Sequence, residues 1–192
     1  MNNSAVKDLR RPRVSLKIQS LAALAAIVAA VALPYIVHVA GKALGIGTAL
    51  GETLLPMHFP IILVGLLAGP FAGAAAGIAA PLISFLLTGM PGKAMLVFIM
   101  IELCSYGLFA GLLRGVKMPS FAKLLSVQVG GRAVRAAAIL LSFYAFSNAA
   151  IKPAIILTSI KTGIFGIVIQ WALIPLIVYL TDKMQNSKNQ TE

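Results

Sequence analysis

The sequence contains little charge and very few acidic residues. Only 11% of its 192 residues are charged, only five are Asp or Glu, and 59% are hydrophobic. A soluble domain needs more polar surface than this, whereas long apolar runs with few charges are typical of transmembrane helices. At about 20 residues a span plus short loops, the length suits one domain of about six spans.

The chain also lacks the residue sets that several chemistries require. Cys104 is the only cysteine, so an internal disulfide is excluded, and we expect it to be a small apolar residue in a helix. Neither a His-Glu-x-x-His segment nor a Gly-rich phosphate loop ending in Lys-Ser or Lys-Thr occurs. A Ser-His-Asp triad would need an Asp within the membrane, but Asp8 and Asp182 lie in or near the tails. We therefore expect no catalytic residue, no metal, no cofactor and no ATP-driven motor in the chain itself.

The apolar runs predict an all-α membrane protein, a compact bundle of six transmembrane helices. Residues 54–90 are apolar throughout, and one helix of that length would measure about 55 Å, against ~30 Å for the hydrocarbon core. The chain must fold back, and the Gly-Pro pair within Ala68–Phe71 marks the turn. The predicted spans are 17–40, 55–68, 71–89, 93–113, 128–149 and 157–181, in a membrane domain over 17–182 between a basic tail (1–16) and a second tail (183–192).

Lys and Arg predict the orientation. Four fall on one side of the predicted bundle and twelve on the side of the N-terminus, and an excess of Lys and Arg is typical of cytoplasmic loops. With an even number of spans, both termini are predicted to be cytoplasmic in a multi-pass protein of the cell membrane. The net charge of +11 then reflects topology and contact with anionic membrane lipids, not nucleic acid. The four outer residues are Lys42, Lys93, Lys152 and Lys161, and the twelve inner ones are Lys7, Arg10, Arg11, Arg13, Lys17, Arg114, Lys117, Lys123, Arg132, Arg135, Lys183 and Lys188.

Small residues four apart share a helix face and let another helix approach closely. The first span carries one such row at Ala22, Ala26 and Ala30, and a second at Ala25 and Ala29. These rows predict either a docking face for a partner membrane protein or packing inside the bundle. In the third span, Gly73 and Gly77 predict close packing on a neighbouring helix.

Polar residues gather at the predicted outer mouth. The stretch "GETLLPMHFPIILVG", Gly51 to Gly65, places an acid, a histidine and two prolines where a span should begin, which favours a site facing the exterior. Glu102 lies well inside the fourth span, where a lone carboxylate is unfavourable, so it should face the bundle interior and find a partner. A structural ion pair is the alternative to a ligand contact there, and a capping or solvated group is the alternative for His58. Ser84, Glu102, Tyr106, Tyr144, Asn148 and Gln170 are the polar residues predicted along inner helix faces.

The chain as a whole, and the segment "LPMHFPIILVGLLAGPFAGAAAGIAAPLISFLLTGMP" (Leu55 to Pro91) above all, resembles the substrate-binding S-component of energy-coupling factor (ECF) vitamin transporters. That segment is similar to the second and third spans of a branch that includes pantothenate and cobalamin carriers. The resemblance implies high-affinity binding of a water-soluble vitamin near the outer side. It also implies delivery to the cytoplasm with a membrane coupling protein and two cytoplasmic ATPases, which supply the energy.

The resemblance implies which residues contact the coupling protein and the substrate. The helix 1 rows, Ala22, Ala25, Ala26, Ala29 and Ala30, would contact the coupling protein. Some substrate contacts are loop positions carried over from the family, and others are polar residues added for their depth. The predicted substrate contacts are Glu52, Met57, His58, Met90, Glu102, Tyr106, Asn148, Lys152 and Lys161. The four outer lysines favour an anionic vitamin such as pantothenate. Two other functions stay open on the sequence: a small membrane enzyme acting on a lipid or prenyl substrate, and a membrane adaptor without transport activity.

Overall fold

The computed structural model describes residues 14–148 and 150–191, apart from the side chains of 185, 186 and 188–191. The described chain forms helices and turns only. The helices are α1 (Leu16–Ala43), α2 (Ala49–Leu54), α3 (His58–Ala68), α4 (Pro70–Thr88), α5 (Lys93–Leu113), α6 (Ser120–Tyr144), α7 (Ala154–Thr162) and α8 (Ile164–Thr191).

Six stretches of the described chain are long and apolar enough to cross a membrane, which confirms the all-helical, six-span prediction. The pair α2 and α3 counts as one span, whereas α7 is too short to be one. The six candidates are Leu16–Ala43, Ala49–Ala68, Pro70–Thr88, Lys93–Leu113, Ser120–Tyr144 and Ile164–Met184. The architecture is that of a multi-pass membrane protein.

The predicted turn between the second and third spans is confirmed. α3 ends at Ala68 and α4 begins at Pro70. Gly69 between them has φ 124°, a backbone conformation that side chains with a Cβ rarely adopt. Pro70 suits the first position of α4, because its missing N–H would have no partner in the helix there. The turn of Thr88 to Gly92 also separates α4 from α5 as predicted.

Several span limits were predicted wrongly. α6 begins at Ser120, directly after Pro119, and not near residue 128, because Lys123 and the polar residues of its first turns do not interrupt the helix. The last predicted span is two helices separated at Gly163, and α8 continues past residue 182 to Thr191. The basic residues Lys7, Arg10, Arg11 and Arg13 lie outside the described part of the chain.

The core lies where α3, α4 and α5 meet, and glycines allow the close approach. A Cβ on Gly73 or Gly77 of α4 would collide with the backbone of α5 at Gly107 and Leu103. A Cβ on Gly65 of α3 would lie 2.5 Å from the carbonyl oxygen of Gly107. The predicted packing role of Gly73 and Gly77 is therefore confirmed, and it supplies the dispersion contacts that hold helices together in lipid.

The first alanine row of α1 is mostly buried in the core. α1 packs against α3 and α4, and Ala26 and Ala30 are 7% and 0% exposed in the core. Ala22 and Ala29 are partly exposed and Ala25 is exposed. The prediction that Ala26 and Ala30 form a docking face is corrected, because α3 and α4 already occupy that side of the helix. Contact of a partner with the remaining three alanines stays a prediction.

Candidate functional site

Glu102 is the centre of a buried polar cluster in the middle of α5. Its side chain is 1% exposed and accepts a hydrogen bond from each of two partners. Arg135 Nη1, from α6, donates to Oε2 at 2.9 Å. The Tyr106 hydroxyl, one turn further along α5, donates to Oε1 at 3.0 Å. A carboxylate held by a guanidinium and a phenol in this way is fixed in position, as a charged group within a span must be.

His58 joins the same cluster from α3. Its Nε2 lies 3.8 Å from Oε2 of Glu102, and its ring centroid lies 5.4 Å from that of Tyr106. Both ring nitrogens are buried, and neither has a hydrogen-bond partner in the described part of the chain. A ligand group or a water molecule that donates and accepts hydrogen bonds would satisfy them.

The depth of His58 differs from the prediction, which placed it at the outer mouth. The span Ala49–Ala68 begins with α2, so His58 lies near its middle and level with Glu102. The sequence signal was misread because the short helix α2 looks like part of a Gly-rich loop.

The span is broken between its two helices. Leu55, between α2 and α3, has φ 49°, which turns the chain out of the helical path. A break within a span leaves backbone carbonyls without helical partners, so other groups must bind them. The carbonyl oxygen of Leu55 accepts from the backbone N–H of His58 at 3.1 Å. Gln170 of α8 reaches across and donates to the same oxygen from Nε2 over 3.5 Å.

A chain of hydrogen bonds holds Gln170 in this position. Its Oε1 accepts from Nε2 of Gln128 at 2.9 Å, and Oε1 of Gln128 accepts from the indole N–H of Trp171 at 2.6 Å. Both glutamines are buried, at 5% and 2% exposed. These hydrogen bonds connect α6 and α8 to the break between α2 and α3. The break is therefore stabilised by tertiary contacts.

Replacing Gln128 by Leu is expected to lower the free energy of unfolding by about 1–3 kcal/mol, because Gln170 and Trp171 then keep buried polar groups without partners. SDS-induced unfolding in mixed micelles measures the change. Ser126→Ala is the matched control, since Ser126 is exposed on the same helix and its hydroxyl donates to the backbone carbonyl of Ala122 one turn earlier. Equal stability of the Gln128 variant and this control would show that the hydrogen bonds of Gln128 do not stabilise the fold.

Arg132 and Arg135 lie at the buried polar cluster, and the sequence analysis assigned them wrongly. They were counted among cytoplasmic charges, but both lie in the middle of α6, and Arg135 is paired with Glu102. Removing them leaves ten basic residues against four, so the predicted orientation keeps its basis. The signal that would have found them is their three-residue spacing within the otherwise apolar stretch 129–141 of α6, which places both on one face.

Other predicted site residues lie elsewhere. The side chains of Glu52, Lys152 and Lys161 are exposed. Met57 is 8% exposed and packs in the core, and Met90 is only partly exposed in the α4–α5 turn. The structure thus brings together His58, Glu102 and Tyr106 from the predicted set and leaves the others outside the cluster.

Two residues predicted on inner faces were placed wrongly, whereas Ser84 and Gln170 are buried as predicted. Tyr144 is 73% exposed. Asn148 is exposed and serves the turn after α6: its Nδ2 donates to Oγ of Ser142, and its Oδ1 accepts from the backbone of Ala150. Turn-forming hydrogen bonds of this kind are a common role for Asn.

Comparisons with protein-family models, with curated proteins and with solved structures find no match for this chain. Among the residues that the structure describes, no group of three or more His, Cys, Asp or Glu side chains has an arrangement that could hold a metal ion. The chemistry of the site must therefore be argued from its own side chains.

Proposed function

We propose that this protein is the solute-binding membrane subunit of an importer of the ECF type, an S-component that captures a water-soluble vitamin or vitamin precursor. One observation carries the proposal: the chain's central carboxylate, Glu102, and two arginines meet in the middle of the bundle, beside a broken span. Charged groups at that depth are rare and mark solute pathways and binding sites. Broken helices beside a polar cluster are a recurrent way of building a solute site within a membrane.

The side chains have separable roles in this proposal. Glu102 holds Arg135 in place and is itself held by Tyr106. His58 lies beside them, with Nε2 3.8 Å from Oε2 of Glu102 and no hydrogen-bond partner for either ring nitrogen among the described residues. Arginine and histidine groups of this kind bind the carboxylate and hydroxyl groups of small polar metabolites. Pantothenate, which carries one carboxylate, is the ligand we test first.

The energy for transport comes from partner proteins in this proposal. The sequence contains no phosphate-binding loop, so coupling to ATP would require a membrane coupling protein and two cytoplasmic ATPases. Ala22, Ala25 and Ala29 of α1 remain at least partly exposed and offer small side chains to such a partner.

The test is ligand binding by the full chain in lipid nanodiscs. Native mass spectrometry of the freshly purified protein should reveal a bound small molecule. Calorimetry with a panel of water-soluble vitamins should give one ligand at least tenfold tighter than the others. In vesicles, uptake of that ligand should require the coupling protein, the ATPases and ATP. The absence of any vitamin binding, or uptake by the chain alone, would overturn the proposal.

A further inference from the structure

A narrow cleft with a cavity volume of about 20 Å³ lies between α5, α6 and α7 next to the buried cluster. One end of the cleft is charged and is lined by Glu102, Arg132 and Arg135. The rest is mostly aliphatic, with Ser159 of α7 as its one hydroxyl. The lining residues beyond the charged end are Ala136, Ile139, Ile156, Ser159 and Ile160.

The charges at this end do not balance. Arg135 is paired with Glu102, but among the described residues no carboxylate lies within ion-pair distance of Arg132. The Nε atoms of both arginines are buried and have no hydrogen-bond partner there. Two guanidinium groups that share one carboxylate, Glu102, in the middle of a span leave one net positive charge, so an anion entering the cleft would be stabilised.

The two arginines are suited to one kind of anion. They lie three residues apart on α6 and so share a helix face. A guanidinium binds a carboxylate through two parallel hydrogen bonds, and each of these arginines keeps N–H groups for that purpose. The cleft has room for the carboxylate end of a ligand only. Because the remaining wall is aliphatic, the carbon atoms next to that carboxylate should be apolar.

We propose, resting on the solute-binding function above, that Arg132 and Arg135 form a subsite for the carboxylate of a small organic acid whose aliphatic body lies against α7. Arg132 and Arg135 together exceed the charge of Glu102 by one positive charge. Glu102 is a positioning residue: it fixes Arg135, and its two oxygens already accept hydrogen bonds from Arg135 and Tyr106. Ser159, whose hydroxyl now donates to the carbonyl oxygen of Ile156 at 3.0 Å, can accept a hydrogen bond from a hydroxyl on the ligand.

The first experiment compares acids with their neutral analogues on the full chain in nanodiscs. The pairs are pantothenate and panthenol, nicotinate and nicotinamide, and biotin and biotin amide. For the pair that binds, the acid should be preferred by at least 100-fold. Arg132→Gln should reduce that preference to less than tenfold, whereas Arg132→Lys should keep part of it. Lys117→Gln is the control, because Lys117 is exposed in the loop between α5 and α6.

The second experiment needs no vitamin. Sodium acetate at tens of millimolar should raise the unfolding temperature of the wild type more than sodium chloride of the same ionic strength. Arg132→Gln should remove this difference, and Lys117→Gln should keep it. The unfolding temperature without acetate checks that each variant is folded.

The two experiments separate the subsite from the function. Acetate protection that depends on Arg132, with no vitamin bound, supports the subsite and overturns the vitamin-binding function. A vitamin that binds with an affinity that neither its charge nor Arg132 changes, with no specific acetate effect, overturns the subsite and supports the function. If neither vitamin nor acetate binds, both proposals fail.

Discussion

Replacing Glu102 by Gln is expected to lower the free energy of unfolding by about 3–5 kcal/mol, which is the usual cost of leaving one member of a buried ion pair without its partner. Glutamine has nearly the same size as glutamate, so packing is preserved and the charge is the quantity that changes. Arg135, which is 12% exposed, would then lie beside Arg132 with no carboxylate of the described residues paired to it. SDS-induced unfolding in mixed micelles is the measurement.

A double variant shows whether the charge causes this loss. In Glu102→Gln with Arg135→Leu, one positive charge is removed along with the negative one, so at least half of the lost stability should return. The interaction energy from this cycle isolates the contribution of the pair. Glu52→Gln is the matched control, because Glu52 is exposed at the start of α2, and it should change stability by less than about 0.5 kcal/mol. If Glu102→Gln behaves like Glu52→Gln, the cluster is not the stabilised centre that we describe.

Replacing Gly107 by Ala is expected to destabilise the protein by about 1–3 kcal/mol or more. The sign of this change separates the effect of helix packing from that of helix propensity. Helix propensity alone predicts the reverse, since Ala favours a helix over Gly by about 1 kcal/mol. The added Cβ, however, would lie well inside van der Waals contact of the backbone of Gly73, where no flexible side chain can yield. Forcing α4 and α5 apart costs more than the propensity returns.

Gly115 provides the comparison for this second prediction. A Cβ there meets no atom within 4 Å, so Gly115→Ala should have little effect or a slight stabilising one. The same unfolding assay applies to both variants. A stabilised Gly107→Ala would mean that α4 and α5 are farther apart than the structure places them.

Our proposal of an anionic solute rests on different charges from those that the sequence suggested. The sequence analysis based this expectation on four outer lysines, of which Lys152 and Lys161 are exposed. The relevant charges lie deeper, at Arg132 and Arg135. In the membrane interior a charge interacts more strongly with a ligand than an exposed lysine does, because water and salt screen it less.

Hydropathy and turn residues were sufficient for the outline of the fold. The six spans follow from apolar runs that exceed or match the thickness of the hydrocarbon core, and the turn at Gly69 and Pro70 follows from local backbone chemistry. The burial of Glu102 was also predictable, since a carboxylate within a span must avoid lipid. What could not be predicted was its partner, because Arg135 is 33 residues away and its position depends on where α6 begins.

The sequence by itself determined that this is a helical membrane protein of six spans, because burial of apolar residues in lipid depends on composition along each segment. Only the tertiary structure decided which polar side chains meet: Glu102 with Arg135 and His58, and Gln128 with Gln170, 42 residues further on. Those contacts depend on the rotation and depth of each helix, and packing between helices fixes both. The break at Leu55 also depends on tertiary structure, since Gln170 of α8 adds a hydrogen bond to the carbonyl oxygen of Leu55 there.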